Sequence, residues 1–188
     1  MDGTVTELEE EKLFYERFNA LHRDPALLRI CERFGIRVFR RSCVLEGFDE
    51  FLQAQNFSGE RCIEIGTCKG LTALVLARYF KEVVSIDVVP DPERAIIAEF
   101  AEVRNVTFLT VALEEAKAAV IKGLKFDAAF MDGDHGRRTL SDYDMVKSCR
   151  RVLFHEYWRA QPSVWDLVNQ LRASGGVVTK GKFALWTV

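Results

Sequence analysis

The chain of 188 residues has no strong excess of charge of either sign and no long apolar run. A formal net charge of −2 argues against a nucleic-acid-binding protein that relies on general electrostatic attraction. No apolar run reaches the roughly 20 residues that a membrane-spanning helix needs. The acidic run ELEEEK near the amino terminus differs from the basic and apolar start of a secretory signal peptide. We therefore expect a cytoplasmic protein that binds neither nucleic acid nor membranes.

The sequence also has no paired cysteine spacing, no low-complexity segment and no internal repeat. Its five cysteines are scattered and odd in number, which indicates free thiols in a reducing compartment rather than a disulfide framework or a zinc site. The length suits one domain with a sizeable core and is short for two. These absences leave an ordinary globular domain whose function must be sought in local patterns.

The pattern of the chain changes near residue 58. Before it the spacing is helical: Leu13, Phe14, Phe18 and Leu21 keep one face, and a further helix is predicted over 44–55. The segment DPALLRICERFG begins with Asp-Pro, which is typical of a helix start, and ends with Gly, which is typical of a helix end. We predict an amino-terminal helical cap over 1–57 and a Rossmann-like domain over 58–188, together forming one globular unit.

After residue 58, strands and helices alternate. The predicted strands are 61–66, 83–89, 106–111, 126–132 and 152–157, and the predicted helices are 69–80, 92–102, 113–122, 138–150 and 163–173. The tail GGVVTKGKFALWTV is typical of a closing strand pair. Alternation of this kind predicts an α/β fold with a doubly wound, mostly parallel sheet and an antiparallel terminal strand.

Ligands of such sheets bind beyond the carboxyl ends of the strands, where the strand order reverses. There the first strand ends in EIGTCKG, which contains Glu64, Gly66 and Gly70. The glycines allow a tight turn and a close approach of the next helix. Asp87 follows about 20 positions later, where a carboxylate can accept both hydrogen bonds of a ribose diol.

The spacing G-x-x-x-G differs from the G-x-G-x-x-G that brings a backbone close to a pyrophosphate. The sequence therefore favours a nucleoside ligand without phosphates over a dinucleotide. The carboxylate of Glu64 agrees with this, because it would repel phosphate and could help to hold a cationic amino-acid end.

The motifs EIGTCKG, VVSIDV and AAFMDGDH together resemble those of class I S-adenosylmethionine-dependent methyltransferases. In particular, residues 44–188 resemble the small branch related to catechol-type O-methyltransferases. The resemblance implies S-adenosylmethionine as the cofactor, with the methionine pocket at the glycine turn, the ribose at Asp87 and the adenine near the loop 111–113. The implied cofactor-binding residues are Glu64, Gly66, Thr67, Gly70, Asp87, Val88, Ala112 and Asp132.

Polar residues capable of chemistry lie at the ends of the fourth and fifth predicted strands. MDGDHGRR places Asp132 and His135 at the end of the fourth, and LFHEYW places His155 and Glu156 at the end of the fifth. By the resemblance, Asp132, His155 and Glu156 would hold Mg²⁺ or another divalent cation, with His155 in place of an expected oxygen ligand. His135 is the candidate base that takes the acceptor's proton, with Asp132 as its catalytic neighbour.

The leading hypothesis is therefore an S-adenosylmethionine-dependent methyltransferase acting on a small, hydroxyl-bearing molecule. Two alternatives stay open: a nicotinamide-dependent oxidoreductase on the same type of sheet, and a nucleoside-binding module without catalysis. The phenylalanine-rich amino-terminal helices are the candidate lid over the cleft and the candidate contact of a homodimer.

Overall fold

A computed structural model describes residues 24–36, 44, 47–134 and 136–188. The helix predicted around residues 13–21 and the candidate base His135 lie outside the described residues. Within the described ranges, no helix has the length and apolar character needed to cross a membrane.

Helices and strands alternate along the described chain. The helices are α1 (Pro25–Phe34), α2 (Phe48–Ala54), α3 (Leu71–Leu76), α4 (Glu93–Phe100), α5 (Glu114–Lys122), α6 (Thr139–Val146) and α7 (Pro162–Leu171). The strands are β1 (Gly59–Ile65), β2 (Phe80–Asp87), β3 (Val106–Thr110), β4 (Ala128–Met131), β5 (Arg151–Phe154), β6 (Gly176–Lys180) and β7 (Phe183–Thr187).

The seven strands form one sheet in the order β3-β2-β1-β4-β5-β7-β6. The first five run parallel, and β7 pairs antiparallel with both β5 and β6. The strand order reverses between β1 and β4, so the carboxyl ends of these two strands flank the position where ligands of such sheets bind. The predicted mostly parallel α/β fold with an antiparallel terminal strand is confirmed.

Several helices and strands are shorter than predicted. The helix predicted over 69–80 spans only Leu71–Leu76: it begins after Gly70, which has a left-handed conformation with φ +83°, and residue 80 already belongs to β2. The helix predicted over 138–150 ends at Val146. The fifth strand ends at Phe154, so His155 and Glu156 follow the strand instead of forming its last residues.

Two apolar layers cover the sheet. On one face, α1 to α4 pack over Cys62, Val83 and Phe130, and the ring of Phe48 lies 4.8 Å from that of Phe130. On the other face, α5 to α7 pack over a second cluster that includes Ile63, Ile65, Val84, Ile86 and Met131. Since both faces are covered, polar side chains of the parallel strands become accessible mainly at the strand ends.

Candidate cofactor cleft

The turn after β1 requires glycine at position 66. Gly66 has φ +97°, and a Cβ atom there would lie 2.4 Å from the carbonyl oxygen of Asp132. The turn therefore packs backbone against backbone with the end of β4, at the point where the strand order reverses. Gly70, with φ +83°, instead faces the ring of Phe108, which lies 3.1 Å from the position of an added Cβ.

Asp87, the last residue of β2, binds this turn directly. Its Oδ2 accepts hydrogen bonds from the backbone N–H groups of Thr67 (3.1 Å) and Cys68 (2.8 Å) and from Nη2 of Arg94 (2.9 Å). Its Oδ1 accepts one bond, from the backbone of Val89 at 3.0 Å. A carboxylate offers about four acceptor sites, two on each oxygen. The remaining capacity is thus on Oδ1, and the predicted bonds from both hydroxyls of a ribose stay a prediction.

Glu64 lies beneath the turn and is completely buried. Its Oε2 accepts a hydrogen bond from Ser85, whose hydroxyl is in turn 2.6 Å from the hydroxyl of Thr67. Its Oε1 has no hydrogen-bond partner among the described residues. Burial, helped by the negative charge of Asp132, raises the pKa of Glu64 to about 8. The side chain is therefore mostly protonated at neutral pH.

The substitution Glu64→Gln is expected to change how stability depends on pH. Because the pKa of Glu64 is higher in the folded than in the unfolded state, wild-type stability falls as pH rises from about 4.5 to about 8. Glutamine does not titrate, so the variant lacks this loss. One titrating group changes the free energy of unfolding by at most about 1.4 kcal/mol per pH unit. Between pH 6 and pH 8, the free energy of unfolding of the variant should therefore rise by about 2 kcal/mol relative to that of the wild type.

Urea unfolding at both pH values measures this difference. As a control, Glu60→Gln alters a carboxylate that is 67% exposed and should keep the wild-type pH dependence. Parallel pH profiles of Glu64→Gln and the wild type would show that the buried carboxyl is not the cause.

Asp132 and His155 meet at the ends of β4 and β5. The His155 Nδ1 and Asp132 Oδ1 atoms are 2.6 Å apart, and the imidazole is buried against the ring of Phe183. Glu156 has other partners: its carboxylate accepts from Nε1 of Trp158 and lies 3.5 Å from Nζ of Lys182.

The predicted metal ligands are thus only partly brought together, since Asp132 contacts His155 and Glu156 bonds elsewhere. No group of three or more His, Cys, Asp or Glu side chains within the described part of the chain is placed to hold a metal ion. The left-handed backbone of Glu156, with φ +58°, turns the chain after β5 and accompanies this separation. In this arrangement the three side chains do not fit a divalent cation.

A cleft of about 210 Å³ opens beside the glycine turn. Of the predicted cofactor-binding residues, Gly66, Asp87, Val88 and Asp132 line it. The others do not: Glu64 and Thr67 are buried, Gly70 packs on Phe108, and Ala112 is exposed outside the lining.

Sequence reasoning missed two charged residues of the cleft lining, Lys117 and Asp142. Lys117 and Asp142 are each only 3% exposed. A signal was present, because Asp142 shares a helical stripe with Thr139, Tyr143 and Val146, which are also buried. A charged residue inside a buried stripe indicates a specific partner.

The protein is similar to known proteins in its structure rather than in its sequence. No protein-family model matches the sequence, and no curated protein matches it. An O-methyltransferase from Bacillus cereus, in complex with SAH, superposes with a TM-score of 0.69 at 17% identity, over 95% of this chain and all of that chain. The cofactor-bound protein Rv0187 from MTB has a TM-score of 0.65 at 18% identity, over 88% and 90% of the two chains.

A mutant of MtNAS in complex with S-adenosylmethionine superposes with a TM-score of 0.58 at 18% identity, over 98% of this chain and 84% of that one. At these identities the likeness concerns the fold. The chain therefore has the α/β fold of these proteins, the O-methyltransferase from Bacillus cereus among them, as the resemblance of its motifs implied.

Proposed function

We propose that the protein is an S-adenosylmethionine-dependent methyltransferase that acts on a small, hydroxyl-bearing molecule. The observation that carries this proposal is the turn at Gly66, which is pressed against Asp132 at the reversal of strand order and is tied by its N–H groups to Asp87. A phosphate-free nucleoside suits this turn, because two of its N–H groups are already bonded to a carboxylate. The fold shared with the O-methyltransferase from Bacillus cereus supports the same assignment.

In this proposal, different residues of the cleft bind different parts of the ligand. Oδ1 of Asp87 is the acceptor for a ribose hydroxyl, and the Gly66 turn gives the amino-acid end room to approach the backbone. Glu64, protonated and buried below the turn, adds no negative charge of its own to this region. Residues at the ends of β1 and β2 would thus hold the ligand, beside the ends of β4 and β5 where Asp132 and His155 meet.

When bound, S-adenosylmethionine supplies a methyl group on a positively charged sulfur. Transfer of this methyl group to the acceptor oxygen would leave S-adenosylhomocysteine, and alignment of sulfur, carbon and oxygen by the cleft would provide much of the acceleration. The acceptor's hydroxyl proton passes to the imidazole of His135 in this proposal. Asp132, the other proposed catalytic residue, lines the cleft and lies 2.6 Å from Nδ1 of His155.

A divalent cation has no step in this proposal, because Asp132, His155 and Glu156 do not form a three-ligand set. Turnover measured with and without EDTA tests that choice. A requirement for Mg²⁺ would mean that Glu156 leaves Trp158 and Lys182 when the acceptor binds.

Calorimetric titration with S-adenosylhomocysteine and, separately, with NADH tests the proposed function. Binding of the first and not the second is expected. Binding of NADH alone would favour the oxidoreductase, and heat from neither ligand with folded protein would contradict the proposal.

For His135→Ala we expect a loss of turnover of about 100-fold or more, with affinity for S-adenosylhomocysteine changed less than about threefold, since a general base contributes about 10²–10⁴-fold to rate. The assay follows S-adenosylhomocysteine formation with a panel of catechols, phenols and other small hydroxylated compounds. Arg137→Ala, at a neighbouring position, serves as the matched control. Unchanged turnover in His135→Ala would remove this residue from the mechanism, and a wild type that binds cofactor but transfers nothing would favour the non-catalytic module.

A further inference from the structure

A buried ion pair joins two helices at one side of the cleft. Nζ of Lys117, on α5, bonds to Oδ1 of Asp142, on α6, and lies 3.4 Å from Oε2 of Glu114. The side chains of Lys117 and Asp142 are each 4% exposed. Both residues line the same cleft as Gly66 and Asp87. The pair is therefore part of the proposed cofactor site.

The hydrogen-bonding capacity of this pair is not used up. An ammonium group has three donors, and those of Lys117 meet two carboxylates, leaving one donor without an acceptor among the described residues. Oδ2 of Asp142 accepts no hydrogen bond from the described residues and borders Gly133, also in the lining. A donor and an acceptor thus lie side by side in the cleft.

Packing alone is a weak reason for this pair. Two charges removed from water lose hydration free energy that their attraction only partly restores, and apolar residues often join helices at least as well. The neighbours on the same sheet face, such as Ile121 and Tyr143, are apolar. A buried pair with one donor and one acceptor left over is better explained by a polar ligand.

The cleft extends from Asp87 to the Lys117–Asp142 pair. A nucleoside whose ribose lies at Asp87 would therefore direct its base towards the pair. Adenine presents an amino donor next to a ring-nitrogen acceptor, whereas a 6-oxo purine presents an acceptor where adenine has the donor. The leftover groups complement adenine and oppose the 6-oxo base.

We propose that Lys117 and Asp142 select the base of the cofactor, with Oδ2 of Asp142 accepting from the 6-amino group of adenine and Nζ of Lys117 donating to a ring nitrogen. This inference rests on the proposed function, since it presumes a nucleoside in the cleft. It assigns base recognition to two helices instead of the exposed loop at Ala112.

The test compares S-adenosylhomocysteine with its 6-oxo analogue, S-inosylhomocysteine, by calorimetry on the full chain. The wild type should prefer the adenine ligand by about 10-fold or more, the range that a matched donor–acceptor pair provides. In Asp142→Asn the amide can donate to the 6-oxo group, so the preference should fall at least about tenfold. The matched control, Asp144→Asn, alters an exposed carboxylate on the same helix and should leave the preference unchanged.

The outcomes separate the inference from the function beneath it. If Asp142→Asn weakens both ligands equally, the pair has only a structural role and the inference is wrong. Equal affinity of the wild type for both ligands would also overturn the inference. This measurement uses the wild type alone and so does not depend on whether a variant folds. If the wild type binds neither ligand, the proposed function itself fails.

Discussion

Gly66→Ala should abolish detectable binding of S-adenosylhomocysteine and lower the free energy of unfolding by about 3 kcal/mol or more, as expected when strained backbone and an overpacked contact coincide. The new Cβ would lie 2.4 Å from the Asp132 carbonyl oxygen. Neither atom can move away unless the backbone itself shifts. Alanine also rarely adopts the φ of +97° found here. The turn must therefore move away from β4, and the Thr67 N–H that bonds to Asp87 moves with it.

Calorimetry and urea unfolding measure the two effects. The control is Gly176→Ala, because Gly176 has no positive φ and an added Cβ would meet nothing within 4 Å. That variant should bind and unfold like the wild type. Wild-type affinity in Gly66→Ala would mean that the cofactor does not use this turn, even if stability falls.

Arg94→Met should lower the free energy of unfolding by about 3 kcal/mol, the size expected when one partner of a buried ion pair is removed. Arg94 is 3% exposed, and its guanidinium bonds both the Asp87 carboxylate and, at 2.6 Å, the carbonyl oxygen of Cys68. Without it, the Asp87 charge keeps only backbone donors and the Cys68 carbonyl loses its partner. Affinity for S-adenosylhomocysteine should fall as the turn loosens.

The control for the arginine variant is Lys81→Met, which removes an ion pair with Glu60 whose side chains are 76% and 67% exposed. Exposed pairs of this kind contribute at most about 1 kcal/mol. Equal losses of stability in the two variants would contradict a special role for Arg94. A stable Arg94→Met with weakened cofactor binding would instead place Arg94 in ligand positioning alone.

Part of the site could be predicted from the chain because its signals are local. The glycines at 66 and 70 both have positive φ, and Asp87 ends a strand beside the first turn, as the spacing indicated. The departures are equally instructive. Ala112 follows a strand end yet stays outside the cleft lining, and Glu156 follows His155 directly yet bonds to other side chains.

The sequence by itself determined the class of fold, since alternating strand and helix patterns allow few arrangements other than a parallel sheet with helices on both faces. It also determined which end of that sheet is polar. Only the tertiary structure decided that Arg94 reaches Asp87, that Glu156 bonds to Trp158 and Lys182, and that Lys117 pairs with Asp142 across 25 positions of the chain. The physical reason is that periodicity reports which face of an element is buried, whereas contacts between elements depend on strand order and helix packing.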